Sequence, residues 1–181
     1  NHYLKNEFLN EEKLTKPTYD FLDLNSERLS GIASFIGLNI LLLFFIITFN
    51  YEQFVELPKA TANQLAEETH ERVGAVIGSI VMAIVVIMFY FKGSFNFDKK
   101  AKFLKILAQI WVFLNAILVI SAMLKNTEYV YYLGLTYKRL GVYAFLSLAI
   151  IGLIFTFIKV SKQKTNAYLF NQMFWYVYGT I

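Results

Sequence analysis

Four stretches without a single Asp, Glu, Lys or Arg govern what this chain can fold into. They are residues 29–51, 73–91, 106–124 and 140–158. The first holds 23 residues and the others 19 each. At about 1.5 Å of rise per residue, 19 helical residues reach roughly 28 Å, close to the ~30 Å hydrocarbon core of a bilayer. The run Ile84-Val85-Val86-Ile87 would suit a strand in water. In lipid, however, only helices and closed barrels satisfy the backbone, and barrel strands are about half this long. Composition agrees: 57% of residues are hydrophobic and 17% charged, against about 45–50% and 25% in soluble domains.

The spacing therefore predicts an all-α, polytopic transmembrane helix bundle with four complete spans. A fifth charge-free stretch, about residues 166–181, is read as a fifth span cut short. An interfacial segment is the alternative, suited by Asn171 and Gln172. Residues 1–28 are polar and are expected on the cytoplasmic side, with residues 29–181 forming one transmembrane domain. Lys and Arg set this orientation. Twelve lie before the first span, between the second and third, or after the fourth, against five on the other side. The reading is a multi-pass membrane protein. The net charge of +4 is ordinary for cytoplasmic loops and calls for no nucleic acid. There is no cysteine, which excludes disulfides and thiolate metal sites.

Several groups could carry chemistry. Thr61-Ala62-Asn63-Gln64 reads as a capping box that starts the second helix, which would run about 30 residues and project outward from about residue 61. On the projecting part, Glu67, His70 and Glu71 share a face, as in half of a bundle-type metal site. The other half is missing, and a solvated or partner-facing helix end is the simpler reading; no cofactor is called for. Gly74 and Gly78 form a GxxxG step beside Ser79. It serves either packing within the chain or a dimer face. Asn39, Gln109 and Asn115 are amides in lipid, expected as interhelical glue or as the lining of a polar cavity.

The stretch from Leu118 to Phe145, "LVISAMLKNTEYVYYLGLTYKRLGVYAF", resembles the bacterial membrane proteins grouped as the domain-of-unknown-function 4153 and 4173 families. Ser121-Ala122, Lys125, Tyr129, Gly134-Leu135-Thr136 and Arg139 carry the resemblance. Residues 70–97 are similar to the version found in Bacteroidetes-type bacteria. The resemblance implies a multi-pass protein of the bacterial inner (cytoplasmic) membrane with further spans, and no catalytic residue.

Within that stretch, Lys138 and Arg139 open the fourth span, where a helix N-terminus disfavours cations. Three partners would make sense of them: outer-leaflet phosphates beside the Tyr-rich belt, the glutamates Glu67, Glu68 and Glu71, or a bound anion such as a lipid headgroup. Gly134 permits a turn and Thr136 can cap the helix that follows.

The functional expectation is a non-enzymatic accessory, structural or regulatory subunit of a membrane assembly. Its expected partners are lipids and either another protein or further spans of the same chain. A transporter or channel component is one alternative. An enzyme or binder acting on a lipid-linked phosphate is the other.

Overall fold

The computed structural model describes residues 23–55, 62–91, 101–162, 164 and 166–180, without the side chains of 24, 52–54, 62–70, 72 and 180. Among the described residues the fold is all-helical. The helices are α1 (Leu24–Val55), α2 (Ala62–Tyr90), α3 (Lys102–Leu133), α4 (Tyr137–Ser161) and α5 (Asn166–Thr180). The first four are long and apolar enough to cross a membrane, so the chain is built as an integral membrane protein.

One helix runs well past its expected end. α3 continues nine residues beyond Leu124, to Leu133. The charges that close its apolar run do not break the helix. Lys125 Nζ donates to Glu128 Oε2 at 3.1 Å, an i,i+3 pair along the helix, and Thr127 Oγ1 donates back to the Met123 carbonyl at 2.8 Å. The helix ends only at Gly134, whose φ of 78° and ψ of 169° lie in a region open essentially to glycine alone. α5, at the position of the expected truncated fifth span, is a helix of 15 residues, a rise of roughly 22 Å.

α3 is the hub, packed along α1, α2 and α4, while α5 lies against α4. Phe35 of α1 shows the packing. Its ring lies 5.4 Å from Trp111, 5.5 Å from Tyr90 and 6.3 Å from Phe91, in tilted or edge-on geometries. Such aromatic pairs are worth about 0.5–1.5 kcal/mol each beyond their burial. Around the outside, Leu41, Phe44, Ile47, Met82 and Phe113 are exposed, as a lipid-facing surface should be.

The interior holds the polar groups, each turned on a neighbour. Asn39 Nδ2 donates to the Phe35 and Leu107 carbonyls at 2.8 and 3.1 Å, joining α1 to α3. Ser79 Oγ donates to Asn115 Oδ1 at 3.1 Å, joining α2 to α3, and Asn115 Nδ2 donates to the Trp111 carbonyl. Nearer the surface, Gln109 Nε2 reaches Ser161 Oγ at 3.4 Å, joining α3 to α4. Ser34 and Tyr90 share a hydroxyl pair at 3.0 Å between α1 and α2.

Close backbone approach occurs at two glycines the GxxxG reading did not single out. A Cβ on Gly31 would stand 3.2 Å from Tyr90 and Leu104, and one on Gly152 would stand 2.9 Å from Met173 Cε of α5. Gly74 and Gly78 are exposed, with no atom within 4 Å of an added Cβ. Among the described residues, that step is not a contact between these helices.

Candidate functional site at the α3–α4 turn

Gly134, Leu135 and Thr136 form the corner between α3 and α4, and the first and last of them each have a physical task. Gly134 takes the glycine-only conformation, and its N–H donates to the Val130 carbonyl at 2.8 Å, closing α3. Thr136 is the N-cap of α4. It is extended (φ −126°, ψ 160°), and its side-chain oxygen accepts from Arg139 N at 3.5 Å. Its carbonyl accepts from Leu140 N.

Arg139 then reaches back across the turn. Its guanidinium Nη1 donates to the Leu133 carbonyl at 2.9 Å and also to the Gly134 carbonyl. Its Cζ lies 4.0 Å from the centre of the Tyr129 ring. This resolves the electrostatic oddity of the position. A cation at the N-terminus of α4 is unfavourable for that helix, but the same guanidinium lies at the C-terminus of α3. There, partial negative charge and carbonyls without intrahelical donors favour it. Among the described residues Arg139 is held by backbone carbonyls and an aromatic face, contacts that the sequence reading did not foresee.

The α3 residues of the sequence signature form a buried line that leads along the helix toward this corner. Ser121, Ala122, Lys125 and Tyr129 are buried, at the spacing of one face of α3. The same face contains Asn126, which sequence reasoning missed. It is 1% exposed, and its Nδ2 donates to the Arg139 carbonyl at 3.3 Å. Its Oδ1 is buried without a hydrogen-bond partner. The signal that could have found it is its place four residues after Ala122 and three before Tyr129. Tyr143 OH adds a further tie between the helices, donating to Thr127 Oγ1 at 2.7 Å.

A cavity of about 500 Å³ opens at this corner. Val73 of α2, Asn126 and Tyr129 of α3, and Lys138, Arg139 and Val142 of α4 line it. Lys138 is exposed, and among the described residues nothing pairs with it. Of the glutamates proposed to meet these cations, Glu71 is exposed and makes no ion pair with either of them. The side chains of Glu67, Glu68 and His70 lie outside the described residues, so the metal and salt-bridge readings that use them do too.

At the other end of the bundle lies a second cation that the sequence reading had assigned to a loop. Lys159 is 0% exposed, and its Nζ donates to the Phe91 carbonyl at 3.4 Å. Next to it, Asn166 Nδ2 donates to the Met88 carbonyl at 3.0 Å. Both serve the C-terminal end of α2. Lys159 continues the buried line of Gly152 and Thr156 at helical spacing, and that periodicity was the available signal.

Residues 6–181 match the family model described as Domain of unknown function (DUF4153). No curated protein and no solved structure matches the chain.

Proposed function

Since the chain belongs to the DUF4153 family, which carries no assigned activity, the reading must come from the geometry: we propose a non-enzymatic helical component of a larger assembly in the bacterial inner membrane. One observation carries this. Asn39, Ser79, Asn115 and Thr156 each bond to another side chain or to a backbone carbonyl inside α1–α4, which gives the centre of the bundle the character of a packing core. A conduit would instead line a path with such groups. The exposed face of α2 at Gly74, Ala75 and Gly78 supports the same reading, because small residues allow another helix to approach closely in lipid.

In this proposal residues 1–28 lie in the cytoplasm and the α3–α4 turn faces outward. The apolar window of α2 begins at Val73, so the part of the helix from residue 62 would rise about 16 Å beyond it. The partners are lipid and at least one further transmembrane helix.

The lack of native cysteine makes the test direct. Gly78→Cys is introduced into the full chain, and native membranes are treated with a bifunctional maleimide. A discrete cross-linked species is expected from Gly78→Cys and none from Ile40→Cys, which lies 64% exposed on α1. If both variants stay monomeric and the protein purifies alone in mild detergent, the proposal fails.

A further inference from the structure

The α3–α4 corner has the charge and shape of a ligand site that the packing role leaves unexplained. Three sources of positive potential converge on the cavity. The free N–H groups of the first turn of α4 contribute one. The Lys138 ammonium is the second, and the Arg139 guanidinium is the third. No acidic side chain lines the cavity among the described residues. Helix N-termini with nearby cations are ready-made sites for phosphate.

Two further observations sharpen the ligand. Asn126 lines the cavity, is 1% exposed and leaves Oδ1 without a donor. A buried acceptor of that kind calls for a hydroxyl or ammonium hydrogen. Tyr137, which lines the cavity, is 95% exposed, and Tyr131 at 84% and Leu135 at 63% add exposed apolar and aromatic surface to the same end of the helix pair. Such a surface belongs at the depth of headgroups, where tyrosine rings are enriched, rather than in open water.

We infer that this cavity binds the headgroup of an anionic phospholipid, with the phosphodiester at the α4 N-terminus and Lys138, and a headgroup hydroxyl donating to Asn126 Oδ1. Arg139 keeps its carbonyl contacts and contributes charge and the Tyr129 wall. The inference rests on α4 crossing a bilayer and is independent of the assembly role, since cross-linking at Gly78 reads a different face.

The test uses the full chain in detergent, titrated with short-chain phosphatidylglycerol, short-chain phosphatidylcholine and inorganic phosphate, and read by native mass spectrometry and thermal melting. Phosphatidylglycerol is expected to bind in preference to phosphatidylcholine, which lacks both net charge and a hydroxyl. Lys138→Gln should weaken that binding about tenfold, the effect of losing a charge-assisted hydrogen bond. Its melting temperature without lipid should stay unchanged, and Lys138→Arg should restore binding. Lys162→Gln, exposed at the other end of the bundle, should have no effect. Three results overturn the inference: equal losses in Lys138→Gln and Lys162→Gln, which indicate diffuse surface charge; no loss in Lys138→Gln; or displacement of the lipid by inorganic phosphate at equal concentration, which makes the site one for a soluble anion.

Discussion

Arg139 and Lys159 stand at opposite ends of α4 and solve the same problem in different ways. Each places a cation on carbonyls at the C-terminal end of another helix, α3 for Arg139 and α2 for Lys159. Arg139 reaches carbonyls five and six residues away and remains half-buried beside a cavity. Lys159 is fully buried, and the carbonyl it meets is 68 residues away. The first contact is made by a turn, while the second exists only once α2 and α4 have docked. The local cap leaves its surroundings open for a ligand, whereas the long-range one closes the bundle.

If this comparison holds, Lys159 is the more sensitive position. Lys159→Ala removes a buried stem and leaves the Phe91 carbonyl short of a donor, a cost of about 3 kcal/mol. Lys159→Met keeps the volume and removes the charge, and exchange of a buried cation for an apolar group is often neutral. Thermal melting in detergent should therefore show a large loss for alanine and a small one for methionine. Equal losses would mean that the charge, not the packing, holds the helices together.

The corner should respond as one unit. Arg139→Ala and Gly134→Ala are each expected to cost about 2 kcal/mol, through lost charge-assisted bonds in the first case and backbone strain in the second. Because both act on the same turn, the double variant should cost less than the sum. Full additivity in the same melts would show that the guanidinium does not depend on the glycine conformation.

A smaller effect is expected inside the bundle. The Ser79–Asn115 bond should show a coupling energy of about 0.6 kcal/mol in a double-mutant cycle, typical of side-chain hydrogen bonds between membrane helices. A coupling near zero would leave this pair out of the packing. The smallest perturbation is a label that changes no contact. Tyr137→Cys and Lys162→Cys, both exposed, mark the two ends of α4. A membrane-impermeant maleimide added to intact cells with a permeabilised outer membrane should react with the first only. Reaction with the second instead would invert the proposed orientation.

Much of the fold was legible because a bilayer imposes a simple rule: uninterrupted apolar length means a helix. The four spans follow from it, and Gly134 and Thr136 were readable because turn chemistry is local. What escaped was decided by distance in sequence. Lys125 looked like the end of a span, but its pairing with Glu128 lets α3 continue to the next true breaker. Gly74 and Gly78 matched a packing motif, yet a motif does not say which neighbour will arrive, and the close contacts formed at Gly31 and Gly152.

By itself, then, the order of residues determined that this is a helical membrane protein, and where one turn must fall, because hydrocarbon and backbone sterics act on short segments. Only the tertiary structure decided what the cations meet. A charge in lipid takes whichever acceptor packing brings within reach. For Arg139 that was the carbonyl end of the helix before it, and for Lys159 that of a helix 68 residues away.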